Sequence, residues 1–143
     1  MNSKNVMDII TKYFDEQQDI STAYLFGSAA KGMQRTQSDI DIAILFVDSM
    51  HALERFERKL EIANKIEKMI GIKVDVVDLE SSDVYFIHQM MLKKLIVADK
   101  NIHRRVEFEV KMRRTYFDMQ PFYEFYYKQA LNRLERMYLN GRT

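Results

Sequence analysis

The sequence predicts an α/β (α+β) domain: a small mixed β-sheet packed with helices and followed by a C-terminal helical segment. Three observations carry this. Ile40 to Val47 is a near-continuous apolar run of strand length, as expected of a strand covered on both faces. Segments before and after it repeat their apolar residues every 3.6 positions, the mark of amphipathic helices. At 143 residues the chain fits one principal core, and its 47% apolar share suffices to fill one.

Taken in order, Val6, Ile9, Ile10, Tyr13 and Phe14 line one side of a first helix with Ser3 as its cap. Ser21 to Phe26 is β-prone and ends at Gly27-Ser28, a strand followed by a tight turn. Ala29 to Met33 has room for one or two helical turns before the polar stretch Gln34 to Ser38. In the Ile40–Val47 strand, Ile40, Ile42, Ile44 and Phe46 share one face, while Asp39, Asp41, Ala43 and Leu45 share the other. Leu53, Phe56, Leu60, Ala63, Ile66 and Ile70 mark a long helix, with Gly71 at the C′ position. Ile72 to Leu79 is a strand with Lys73, Asp75, Val77 and Leu79 on one face. Ser82 caps a helix to about Met91, and Leu95 to Ala98 forms a short last strand. Ile102 to Asp118 is helical, and Pro121 fits N1 of a final helix ending near Gly141. The strand order is not legible at this level.

Composition removes several chemistries. With no cysteine there is no disulfide, thiolate nucleophile, Cys-ligated zinc or iron–sulfur cluster. His51, His88 and His103 lack helical zinc spacing and read as surface or packing residues. A metal would be held by oxygens, which favours Mg2+ or Mn2+. No apolar run approaches the roughly 20 residues that span a bilayer, and the N-terminus lacks signal-peptide order. A cytoplasmic protein with no membrane association is expected. The net charge of +1 hides an asymmetry: residues 1–92 carry 10 Lys/Arg against 15 Asp/Glu, and residues 93–143 carry 12 against 6. The basic rear half is either a surface for a partner or a solvated helical face.

The stretch from Gly27 to Leu45 carries the chemistry. Gly27 can turn where a side chain would clash, and its amide and that of Ser28 can then point at a phosphate. Asp39 and Asp41, alternate residues of one strand, place two carboxylates on one side, about 6.6 Å apart at Cα. Such a pair beside an apolar strand repels itself and loses hydration, so it raises a pKa or demands a cation. Paired divalent metals, which stabilise both attacking and leaving oxygens of a phosphoryl displacement, answer that demand. The third acid is Asp75 or Asp78, which face opposite ways. Asp75 lies mid-strand among Val74, Val76 and Val77, where an unpaired carboxylate is costly. It is taken as the third metal-site carboxylate and proton acceptor. Asp78, nearer the strand exit, is read as solvated, as a cap for the next helix, or as support for the site.

Gly27-Ser28, ten residues, then Asp39-Ile40-Asp41, followed by a strand bearing Asp75, resembles the signature of the DNA polymerase beta-like nucleotidyltransferase superfamily. The short length, the Leu95–Ala98 strand, the run Arg104 to Glu109 and Tyr116-Phe117-Asp118 resemble its minimal nucleotidyltransferase branch, the antitoxins of HEPN–MNT toxin–antitoxin pairs. The resemblance implies a nucleotidyltransferase fold, a single domain over 1–143, with 102–143 as a C-terminal helical extension. It implies that Gly27 and Ser28 hold a triphosphate, that Asp39, Asp41 and Asp75 bind two Mg2+ ions (Mn2+ as substitute), and that Asp75 helps activate the acceptor hydroxyl. Lys31 stands where the family often has Arg, keeping the charge without the planar fork, and Arg35 is a further candidate for the phosphate tail. ATP as donor, and transfer of AMP to a tyrosine of a HEPN ribonuclease toxin as the reaction, are also implied by the resemblance.

Two other classes are open. A non-catalytic module could neutralise the same partner through an aromatic cluster spanning Tyr116 to Tyr127, although most of these rings are expected to form a local core between the last two helices. Transfer to a small molecule or an RNA end would use the same motif. The basic patch around Lys93, Lys94, Arg104, Arg105, Lys111, Arg113 and Arg114 lacks a recognisable nucleic-acid motif, and direct nucleic-acid binding is not expected.

Overall fold

A computed structural model describes residues 3–27 and 39–140. Four strands form one mixed sheet in the order β3-β2-β1-β4: β1 (Ile20–Phe26), β2 (Ile40–Phe46), β3 (Val74–Asp78) and β4 (Leu95–Asp99). β1 runs antiparallel to both β2 and β4, whereas β2 and β3 are parallel. The parallel pair needs a crossover, supplied by α2 (Ala52–Ile70).

The alternation expected for β2 sets the two cores. Ile40, Ile42, Ile44 and Phe46 pack with Val6, Ile10, Phe14, Ile62 and Ile66, so α1 (Ser3–Asp15) and α2 cover that face. Ala43 and Leu45 pack on the other side with Tyr24, Leu79, Ile87 and Met90, and with Phe108 and Met112 at the margin. That second face is covered by α3 (Val84–Met91) and the start of α4 (Ile102–Asn140). The result is a three-layer arrangement in which each apolar stripe has a sheet face to bury against. Gly71 adopts φ 71° and its amide donates to the Glu67 carbonyl, closing α2 as its sequence position implied.

Three expectations are corrected. Ile102 to Asn140 is one 39-residue helix containing Pro121, not two helices. Met119 and Gln120 offer no good N-cap for a new helix at Pro121, and on an exposed stretch water can take the hydrogen bond that the proline nitrogen cannot give. Second, the aromatic segment is not a core: Phe117, Phe122, Phe125, Tyr126 and Tyr127 are all exposed, and no residue of α4 is buried. Third, burial of the two β3 acids is the reverse of the expectation. Asp75 is exposed because β3 is an edge strand, and Asp78 is only 3% exposed.

The N-terminal part of α4 is fastened by ion pairs. Arg104 donates to the Phe46 carbonyl at 2.7 Å and pairs with Glu80 at 2.9 Å; Arg105 pairs with Asp99 at 2.9 Å and with Glu109 at 2.7 Å. Glu109 also pairs with Lys94. Arg104→Ala leaves the Phe46 carbonyl without its guanidinium donor and removes a charge-assisted bond, so a loss of about 1.5–3 kcal/mol is expected by denaturant melts.

Candidate functional site

Residue pairing brings the acids together at one end of the sheet. Phe26 lies opposite Asp41, and Asp41 lies beside Asp75 across the parallel β2–β3 pair. Asp41 and Asp75 project to the same side as Ala43 and Leu45, the α3/α4 side. Asp39 precedes β2 and is half-exposed. The Asp41 carboxyl is pushed above the usual carboxylate range, first by burial, then by the negative charges of Asp75 and Asp39. Asp75 and Asp39 therefore both act electrostatically on Asp41.

Gly27 explains how close the turn comes. It has φ 66°, a conformation that side-chain-bearing residues rarely adopt, and a Cβ there would stand 2.6 Å from Asp41 Oδ2. Gly27→Ala is therefore expected to cost about 1–2 kcal/mol from backbone strain alone. It also forces the Asp41 carboxylate aside, so nucleotide affinity should fall at least tenfold. Thermal melts and a nucleotide titration on the same sample read the two effects.

Ser28, Lys31 and Arg35, expected to hold phosphates, lie outside the described residues. Asp78 does not join the acid group. Its carboxylate accepts from Arg55 Nε at 2.8 Å, Ser81 Oγ at 2.8 Å and the Glu80 amide at 3.2 Å, so it ties α2 to the 3-10 turn at Leu79–Ser81.

Sequence reasoning missed two contributors. Lys73 Nζ lies 3.9 Å from Asp39 Oδ2; alternation had put Lys73 on the Asp75 face, but only the β2–β3 register sets it beside Asp39. Phe26, next to Gly27, meets Phe86 of α3 edge-on at 5.7 Å between centroids, which walls the site on the α3 side. Neither residue belongs to a spacing motif.

The donor set suits a hard divalent cation. It is carboxylate oxygen throughout, and the raised Asp41 carboxyl marks a place where added positive charge is favourable. Among the described residues, no three Asp, Glu or His side chains converge as a ready-made metal cage. Binding would draw the exposed Asp75 and half-exposed Asp39 toward Asp41.

The mixed sheet, with its acid-bearing end beside a positive-φ glycine, defines the class: a nucleotidyltransferase domain. The chain belongs to the Polymerase beta, Nucleotidyltransferase family, whose model matches residues 8–103, from α1 to the first turn of α4. Protein adenylyltransferase MntA of Shewanella oneidensis is 34% identical over 91 residues, covering 64% of this chain and 63% of that protein. The match thus spans less than two thirds of that relative. A candidate protein adenylyltransferase of Methanocaldococcus jannaschii is 32% identical over 96 residues, 67% of this chain and 89% of its own. Among solved structures, a toxin–antitoxin crystal structure with AMP-PNP holds a chain that superposes with a TM-score of 0.70 at 27% identity, covering 89% of this chain and 98% of that one.

Proposed function

We propose that this chain is a metal-dependent protein adenylyltransferase that moves AMP from ATP to a tyrosine of a cognate HEPN ribonuclease toxin and thereby acts as its antitoxin in the cytoplasm. The observation that carries this reading is the Asp41–Asp75 pair beside Gly27, with Asp39 coupled to it. Support comes from the adenylyltransferase relatives and from the toxin–antitoxin structure with AMP-PNP.

Asp39, Asp41 and Asp75 would hold two Mg2+ ions, or Mn2+ in their place. Such ions, when bound, polarise the α-phosphate and offset the charge of the departing pyrophosphate. Gly27 leaves room for the phosphates, with Ser28, Lys31 and Arg35 as their further ligands. The acceptor tyrosine oxygen attacks the α-phosphorus, the bond to the β-phosphate oxygen breaks, pyrophosphate leaves and the phenolic proton passes to Asp75. A phenol with a pKa near 10 needs that acceptor at neutral pH. Asp75 is exposed, so an incoming side chain can reach it from solvent. Lys73 lies near Asp39, and Lys73→Met is expected to tighten Mn2+ binding roughly fivefold by removing one neighbouring positive charge, as read by titration.

The test is incubation with labelled ATP, Mg2+ and the product of the neighbouring gene. Label on that protein, lost in Asp39→Ala/Asp41→Ala, is the expected outcome. An intact complex that never becomes labelled would sink the catalytic reading. A second reading, neutralisation by binding alone, is favoured by the exposed apolar surface of α4. It requires that the doubly substituted variant still silence the partner at unchanged stoichiometry.

A further inference from the structure

The end of the sheet that carries the acids also carries an aromatic wall. Asp75, Asp41 and Phe26 stand side by side on β3, β2 and β1, each the register partner of the next. Register partners share a face, so the Phe26 ring rises on the same side as the two carboxylates, with its Cβ roughly 5 Å from that of Asp41. Phe86 of α3 meets that ring edge-on, at 5.7 Å and 83°. Both rings pack against the second core yet stay partly exposed. That core lies behind them, toward Tyr24 and Ala43, so the open part of the wall is at the sheet end, beside Asp41.

α3 holds the wall in place. Its Ile87 and Met90 sink into the second core. The Asp83 carboxylate accepts from the Phe86 amide at 3.0 Å, which fixes the first turn. On the outer side α4 clamps the helix: Tyr116 stacks on His88 at 3.6 Å, and Tyr123 meets Tyr85 at 5.8 Å between centroids. Edge-on contact with Phe26 then sets the angle of the Phe86 ring. A side chain whose rotamer is already fixed loses little entropy when a ligand stacks on it.

Displacement at phosphorus assigns the directions. Attacking and leaving oxygens lie roughly in line. With the phosphate tail at Gly27 and the acceptor beside Asp75, that line runs along the sheet end. The ester oxygen that carries the ribose and base leaves the line at an angle. The carboxylates face the α3 side, so the α-phosphate sits on that side too. Among the described residues, the apolar surface beside it is the Phe26–Phe86 pair. Stacking of a base on an aromatic ring strengthens binding by roughly 5- to 150-fold. Neither ring carries a hydrogen-bonding group, so the contact holds a base without reading its edge.

We propose that Phe86, backed by Phe26, is the stacking platform for the nucleobase of the donor nucleotide. This rests on the nucleotidyltransferase reading above and adds to it a residue that the acid motif does not contain. ATP and GTP gain equally from such a platform, and any preference between them is set by other residues.

The experiment titrates the full chain with ATP, GTP and inorganic tripolyphosphate, each with Mn2+. Tripolyphosphate has the phosphate tail and no base. Phe86→Leu keeps an apolar side chain and removes the π face, whereas Phe86→Tyr keeps the ring. Phe86→Leu is expected to bind ATP and GTP about tenfold more weakly, by the same factor for both, and tripolyphosphate like the parent. Phe86→Tyr should match the parent for all three. In the parent with Mg2+, the base protons of bound ATP should also shift upfield in the proton NMR spectrum, from the ring current of Phe86, a readout that needs no variant. Bound ATP without that shift overturns the proposal. So does a Phe86→Leu protein that binds ATP like the parent, or one that melts like the parent and loses tripolyphosphate as strongly as ATP. A loss confined to ATP overturns it as well, because the residue would then serve recognition of the adenine edge. In each of these cases nucleotidyl transfer stands. A parent that binds none of the three with Mn2+ removes the nucleotidyltransferase reading, and the platform with it.

Discussion

Asp41→Asn is expected to abolish transfer while making the metal-free protein more stable. The activity loss follows from position: Asp41 sits between Asp75 and Asp39 and against Gly27, so it is the carboxylate any bound ion would share. An amide keeps the shape but forfeits the negative charge. If that costs about 4 kcal/mol of charge stabilisation in the transition state, the rate falls by about 10³. The stability gain follows from the raised Asp41 carboxyl. Its cause is burial first and repulsion by Asp75 and Asp39 second. A carboxyl whose folded pKa lies above its unfolded value favours folding when protonated, and that contribution is lost as pH rises through the folded pKa. In EDTA near neutral pH, Asp41→Asn should therefore melt higher than the parent. The difference should shrink as pH falls through the raised Asp41 value, where the parent becomes neutral too. Saturating Mg2+ and ATP should reverse the order, because only the parent gains from the bound ions. A variant that melts lower than the parent in EDTA at neutral pH would show that Asp41 is not held under electrostatic tension.

The residues that alternation governs were readable from the chain. Ile40 to Phe46 separates into its two core faces as the period-two pattern implies, because a buried central strand leaves no freedom of register. Gly71 was equally clear, since a left-handed residue closing a helix has few substitutes. What alternation alone could not reveal was pairing between strands. Lys73 beside Asp39, Phe26 opposite Asp41 and the β3-β2-β1-β4 order all depend on long-range register. Asp75 and Asp78 show why. Both lie in a valine-rich strand, and a local reading buries the mid-strand residue. The edge position of β3 exposes Asp75, and α2 supplies Arg55 to bury Asp78. α4 misled for the opposite reason: its aromatic density resembles a core when no three-dimensional partner has been assigned.

The other large effect falls on that buried pair. Arg55 and Asp78 meet at 2.8 Å, their side chains only 12% and 2% exposed, and the same Arg55 donates to the Met50 carbonyl at 2.8 Å. Hydrogen bonding to Asp78 is the first cause holding the Arg55 guanidinium above its usual range. Asp78→Ala leaves that guanidinium facing a desolvated gap and removes the acceptor for Ser81 Oγ and the Glu80 amide. Breaking a buried ion pair by deleting one partner costs about 3–5 kcal/mol, a large share of the stability of a domain this size. Asp78→Asn keeps oxygen and shape but not charge, so it should lie between the parent and Asp78→Ala. Replacing both partners, as in Arg55→Met/Asp78→Ala, leaves no stranded charge and should recover part of the loss. Denaturant melts of the parent, Arg55→Met, Asp78→Ala and Arg55→Met/Asp78→Ala complete the double-mutant cycle. The consequence reaches the site through β3, because Asp78 fastens the end of the strand whose third residue before it is Asp75. A partly recovered double variant should regain melting temperature and nucleotide affinity together. If affinity stayed at the parent level in Asp78→Ala while stability fell by the full amount, β3 would hold Asp75 in place without this anchor.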